Sequence, residues 1–208
     1  MRPSAAHLRR ARRVATARLS LLACLSLTLL SACGRRAPEY AVLPDFALTA
    51  VGPEKETPFT KADMLGRPWV VDFVFTRCSG PCPLLSKRMA ELAETLPPQV
   101  GLLTVTVDPD GDTPERLRAY AKAYGARPGR WVFVRGGVKE TYELMYAGFR
   151  LPISTDPGAQ PGRRVVHSTR FVLVDGSGTI RGYYDGLGDS DAESLTRDAR
   201  RLLEVVRS

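Results

Sequence analysis

The sequence predicts an α/β fold with a central, mostly parallel sheet, flanking helices and a C-terminal β-hairpin. Three observations carry this. Trp69 to Phe75 is an almost unbroken apolar run, interrupted only by Asp72, which is the pattern of a strand buried on both faces. Leu85, Met89, Leu92 and Leu96 then recur at helical spacing and stop at Pro97-Pro98. Strand-like and helix-like segments go on alternating downstream, as a parallel sheet with crossover helices requires.

The elements follow in order. Leu43-Pro44-Asp45-Phe46 opens the domain, and the Trp69–Phe75 strand with its helix comes next. Val100 to Val107 reads as a second buried strand and Pro114 to Tyr124 as a helix, with Asp112 or Thr113 as its N-cap and Pro114 at its first position. Trp131 to Val134 reads as a short strand and Lys139 to Tyr146 as another helix. Leu151 to Val166, rich in Pro, Gly and Arg, reads as one long irregular stretch. Its Arg163-Arg164 pair reads as part of a solvated loop before it reads as a docking site for an acidic partner. Arg170 to Val174, a turn at Asp175-Gly176-Ser177-Gly178, and Thr179 to Tyr184 form the hairpin. A last amphipathic helix spans about Asp191 to Val206.

The first 32 residues read as a leader. Arg2, Arg9, Arg10, Arg12, Arg13 and Arg18 form a basic segment without an acid, followed by an apolar run from Leu19 to Ala32. That length suits a signal sequence and falls short of the roughly 20 residues that span a bilayer. It ends in Leu30-Ser31-Ala32-Cys33-Gly34, which resembles a bacterial lipobox, so Cys33 is the expected lipidation site and residues 33–41 a short tether. The paired arginines also fit a twin-arginine export signal, a weak match in a basic leader. Residues 42–208 are then the folded domain, exported and anchored on a membrane facing the periplasm or cell exterior. Losing six arginines and no acid lowers the formal charge from +8 to +2. The basic balance is therefore a targeting feature, and nucleic acid is not the expected partner.

Cys24, Cys33 and His7 belong to that leader or its end. The rest of the chain holds two cysteines and one histidine: Cys78 and Cys82 in Phe75-Thr76-Arg77-Cys78-Ser79-Gly80-Pro81-Cys82-Pro83, and His167. Two cysteines make no disulfide scaffold, so packing must hold the domain. A cysteine motif at a strand-to-helix junction narrows the fold to a thioredoxin-like domain. Cys82 should lie in the first helical turn and Cys78 just before it, where free backbone N–H groups, the helix dipole and Arg77 favour thiolates. Two thiolates at this spacing can face one ion, and Cu(I) accepts two sulfurs and an imidazole. The plainer alternative is a local disulfide with His167 as an ordinary loop residue.

Three segments resemble the Sco/SenC family: Asp72-Phe73-Val74-Phe75-Thr76-Arg77-Cys78 through Cys82-Pro83, Val107-Asp108-Pro109-Asp110-Gly111-Asp112-Thr113-Pro114-Glu115, and Val166-His167-Ser168-Thr169 leading into Phe171–Asp175. Members of that family are copper-binding thioredoxin-like proteins that assist assembly of the copper site of cytochrome c oxidase. The resemblance implies copper, as Cu(I) or Cu(II), held by Cys78, Cys82 and His167. It also implies as partner the copper-site subunit of cytochrome c oxidase or another cuproprotein. One departure lies inside the loop, where Ser79-Gly80-Pro81 replaces the more usual proline and acidic residues.

The main rival is a membrane-tethered thiol–disulfide oxidoreductase acting on cuproprotein cysteines, with Cys78 and Cys82 as the redox pair. Gly80-Pro81-Cys82 repeats the end of the thioredoxin motif. Thioredoxin-like reductases, however, resemble one another in a CxxC spacing and in a cis-proline where this chain has His167-Ser168-Thr169. The favoured reading is thus a metallochaperone, with thiol exchange as the enzymatic alternative. A binding module without metal or redox chemistry would make both patterns accidental. A calcium loop at Asp108, Asp110 and Asp112 fails, because the sixth position is Thr113 and the twelfth is Ala119.

Overall fold

A computed structural model describes residues 38–156, 158 and 165–205. The leader, Cys33, the Arg163-Arg164 pair and the last three residues lie outside these. Ten strands are described: β1 (Ala41–Val42), β2 (Ala47–Val51), β3 (Glu56–Thr60), β4 (Trp69–Val74), β5 (Gly101–Thr106), β6 (Trp131–Arg135), β7 (Ile153–Thr155), β8 (Val165–His167), β9 (Arg170–Val174) and β10 (Thr179–Asp185). The helices are α1 (Cys82–Thr95), α2 (Pro114–Ala123), α3 (Val138–Glu143) and α4 (Asp189–Val205).

Eight strands form one sheet in the order β1-β10-β9-β4-β5-β6-β2-β3. The parallel pairing expected from the sequence is confined to the centre, where β4, β5 and β6 run together. Every pairing outside that core is antiparallel, so the sheet is mixed. The cause is the connections: β9 and β10 join through the tight turn predicted at Asp175–Gly178, and β2 and β3 form an N-terminal hairpin that adds to β6.

All six residues of β4 are buried. Val71 and Phe73 join a core cluster with Met64, Leu144, Met145 and Phe149, and burying each such side chain stabilises the fold by about 1.5–3 kcal/mol. Trp69 is fixed by donating its indole N–H to the Met64 carbonyl at 2.8 Å. Its ring lies flat against Gly101, where an added Cβ would sit 2.5 Å from ring carbon. α1 and α4 pack on each other and on β4 and β10.

Two segments differ from the sequence expectation. The stretch 151–166 is not wholly irregular: Ile153–Thr155 and Val165–His167 pair as a separate antiparallel ribbon, with Ile153 opposite His167. Both strands are three residues long and carry little apolar patterning, so no period announces them. The helix expected through Tyr146 is α-helical only to Glu143. It widens into a π-helical turn over Leu144–Gly148, closed by Phe149 N–H donating to the Leu144 carbonyl at 2.8 Å.

Candidate metal centre

The site assembles at the carboxyl end of β4. Beyond Val74 the chain turns, with Cys78 N–H donating to the Phe75 carbonyl at 3.1 Å, and α1 begins at Cys82 with Pro81 as its N-cap. Pro83 has no N–H and Leu84 N–H already donates to the Pro81 carbonyl at 3.0 Å, so in the first turn the Cys82 N–H is the donor left for an anion, and it serves the Cys78 sulfur. β9 runs antiparallel to β4, pairing Trp69 with Val174 and Val71 with Val172. That direction brings the start of β9, and His167 just ahead of it, to the cysteine end of β4.

The structure thus brings together residues 85 positions apart in sequence. Cys82 Sγ lies 3.7 Å from His167 Nε2. His167 Nδ1 is 2.9 Å from the Ser168 carbonyl oxygen. A carbonyl only accepts, so Nδ1 carries the proton and the Nε2 lone pair faces the sulfur. Burial lowers the pKa of His167, against the opposing effect of the Ser168 hydrogen bond. The ring also meets the Phe75 ring edge-on, with centroids 6.0 Å apart.

The two thiols are unequal, which corrects the expectation of two favoured thiolates. The Cys82 S–H donates to Cys78, and backbone N–H groups of Cys82 and Gly80 add to it, drawing the Cys78 pKa down to about 6. Cys82 is fully buried and is pushed upward by that same hydrogen bond and by desolvation. Cys78 is therefore the thiolate at neutral pH and Cys82 the thiol. Arg77 does not supply the expected positive charge to the pair: its guanidinium turns away to Asp108, Nη2 to Oδ2 2.8 Å.

Asp112 contributes something the sequence did not announce. Thr113 is the N-cap of α2, accepting from Arg116 N–H at 3.3 Å. Asp112 instead points inward, fully buried, and accepts from the Thr76 backbone N–H at 3.1 Å and hydroxyl at 2.6 Å, and from the Thr106 hydroxyl at 2.5 Å. It fastens the cysteine loop to the end of β5. The only sequence signal is a threonine two residues before Cys78 and an aspartate flanking a helix start. Beneath the site, buried Asp72 accepts from Thr104 Oγ1 at 2.6 Å, and desolvation raises its pKa to about 7.

Among the described residues no three His, Cys, Asp or Glu side chains already surround a common metal position. The pair Cys82–His167 nonetheless has the right separation. With bonds of about 2.3 Å to sulfur and about 2.0–2.1 Å to imidazole nitrogen, as known for zinc, two ligands at trigonal to tetrahedral angles stand about 3.5–3.8 Å apart. The observed 3.7 Å falls in that interval.

A family model described as SCO1/SenC matches residues 35–204. The chain belongs to the SCO1/SenC family. The SCO1 protein homolog of Bacillus subtilis (strain 168) is 27% identical over 139 residues, which are 65% of this chain and 70% of that protein. The SCO1/SenC family lipoprotein of Bacillus anthracis str. Ames has a crystal structure that matches with a TM-score of 0.70 and 28% identity, covering 81% of this chain and 98% of that one. Yeast Sco1, crystallised with copper bound, matches with a TM-score of 0.63 and 25% identity over 81% of this chain and 90% of its own. Membership in the SCO1/SenC family fixes the fold as thioredoxin-like, with the mixed sheet and flanking helices described above.

Proposed function

We propose that this protein is an exported, membrane-tethered copper chaperone. It carries one copper ion as cargo on Cys78, Cys82 and His167 and passes it to the copper site of cytochrome c oxidase or of another cuproprotein. The observation that carries the reading is the Cys82–His167 pairing, a sulfur and an imidazole lone pair facing each other at ligand separation beside a ready thiolate. The copper-bound form of yeast Sco1 and the lipoprotein description of the Bacillus anthracis relative support it.

The residues divide the work. Cys78, half exposed and already ionised, meets the cargo first. Cys82 then gives up its proton to solvent, since its donation to Cys78 ends when that sulfur turns to the ion. His167 needs no deprotonation, because its hydrogen bond to Ser168 leaves Nε2 open. The test is metal content and absorption of the reduced domain after copper addition. One copper per chain and a sulfur-to-Cu(II) charge-transfer band are expected, and both should vanish in the Cys78→Ser, Cys82→Ser double variant. Equal copper binding with unchanged absorption in that variant would remove the site.

The asymmetry of the thiols supports a second reading, thiol–disulfide exchange. Cys78 thiolate would attack a client disulfide, forming a mixed disulfide and releasing one client thiolate. Cys82, once deprotonated, would attack Cys78 sulfur, closing the Cys78–Cys82 disulfide and freeing the client dithiol. His167→Ala separates the two, because disulfide formation needs no imidazole ligand. Copper chaperoning requires that this variant lose oxidase activity in cells as a deletion does, whereas near-normal activity under limiting copper would promote exchange.

A further inference from the structure

The rim of the site carries a feature that neither ligand binding nor thiol chemistry uses. A groove of about 500 Å³ runs from Pro152, Ile153 and Ser154 to Arg170 and Asp185, with His167 in its wall. Arg170 forms one lip, opposite Asp185 in the β9–β10 register. Arg150, two residues before Pro152, lies outside the groove lining, on the side where both arginines reach Tyr183. Both arginines are exposed, both act on the Tyr183 hydroxyl, and among the described residues neither forms an ion pair. Asp185 is engaged elsewhere, accepting from Leu187 N–H at 3.0 Å. Val166, beside His167, is 60% exposed and adds an apolar element to the same rim.

Arg150 is also strained. Its φ of +56° is the only left-handed non-glycine conformation among the described residues. The position closes the π-helical turn, with Leu151 N–H donating to the Met145 carbonyl at 3.0 Å, and buried Phe149 and Leu151 lock the backbone from both sides. Glycine is the ordinary residue at such a helix end. Packing accounts for the backbone but not for a guanidinium on it, and strain retained two residues from the groove points to a role for the side chain.

We propose that Arg150 and Arg170 dock an acidic, copper-accepting protein surface, whose carboxylates engage both guanidiniums while its own ligands lie over His167. The inference rests on the copper-transfer reading. Cargo passed by ligand exchange moves only to a surface touching Cys78, Cys82 and His167, so the acceptor must cover this rim, where Arg170 on the rim and exposed Arg150 close to it in the chain offer two cations without an ion pair among the described residues.

The test measures binding of the full mature protein, copper-loaded and metal-free, to the soluble copper-site domain of the same organism's cytochrome c oxidase. Wild-type affinity should fall with salt between about 50 and 200 mM. The Arg150→Glu, Arg170→Glu variant should bind at least tenfold more weakly and lose that salt dependence, with copper content and absorption unchanged. Arg150→Gly should raise the melting temperature and still weaken docking, a combination that a purely structural arginine does not give. Undiminished affinity in the double variant overturns the proposal, as does failure of the wild type to bind. Losses confined to vesicles containing anionic phosphatidylglycerol overturn it too, in favour of a membrane contact. Failure of the copper reading shows separately, as absence of bound metal in the wild type.

Discussion

Asp112 and Thr76 are fastened together across 36 residues of sequence, the Thr76 N–H shared between both carboxylate oxygens and its hydroxyl given to one of them. The cysteine loop is thereby hung from the neighbouring strand, two residues before Cys78. Asp112→Ala would leave the Thr76 and Thr106 donors buried without an acceptor. A loss of about 2–4 kcal/mol is expected, since hydrogen bonds to charged groups contribute about 1.5–3 kcal/mol each. Urea unfolding measures it, and copper affinity should fall in the same variant because the loop loses its anchor. Wild-type stability in Asp112→Ala would show the anchor to be dispensable.

The inequality of the two thiols is read by alkylation. Iodoacetamide should modify Cys78 with a midpoint near pH 6 and leave buried Cys82 almost untouched at neutral pH. Cys82→Ala removes the S–H donor that contributes most to that shift, so the Cys78 midpoint should move up towards an ordinary thiol. The same shift couples to folding. Ionisation of Cys78 favours the folded state above its unfolded pKa, and this contribution disappears as pH falls from about 9 through about 6.

Asp72 has the opposite sign. Its carboxyl is pushed up to about 7 by burial, and Oδ2 has no hydrogen-bond partner among the described residues. The folded state keeps a proton that the unfolded chain releases near pH 4, so stability declines as pH rises from about 4 to about 7. The full effect is on the order of 4 kcal/mol. Asp72→Asn keeps an oxygen for Thr104 and cannot ionise, so its unfolding free energy should lose most of that slope. An unchanged slope would place the titration on another group.

Membrane attachment is tested at Cys33. Acyl chains contribute roughly 0.8 kcal/mol per buried CH₂, enough for several chains to retain the domain at a bilayer. Among the described residues no helix is long and apolar enough to cross a membrane. Cys33→Ala should abolish labelling with a radioactive fatty acid and release the protein from the membrane fraction. Labelling that survives the substitution would exclude lipidation there.

What the sequence made legible was local. The apolar run of β4, the leucine and methionine spacing of α1 and the Asp175–Gly178 turn each announced their element within a residue or two. The junction of β4 with α1 placed Cys82 at a helix start. The misses are elements whose cause lies elsewhere in the chain. β3 includes Pro58 and mostly exposed polar residues, which suit a sheet edge and carry no strand period. The ribbon of β7 and β8 exists because Ile153 finds His167 as its partner. Arg77 looked like a thiolate neighbour until Asp108 took its charge, and Asp112 looked like a cap until Thr106 and Thr76 claimed it. No window of sequence contains such pairings.

The antiparallel seam between β9 and β4 also sets when the proposed site can form. Cys78 and Cys82 are translated and emerge long before His167, and only the zipping of Arg170–Val174 along Trp69–Val74 carries the imidazole to them. A nascent or half-folded chain holds two thiols without their third companion. On the proposed copper reading, cargo retention is a late reward of folding, because the third ligand arrives only once β9 has paired along β4.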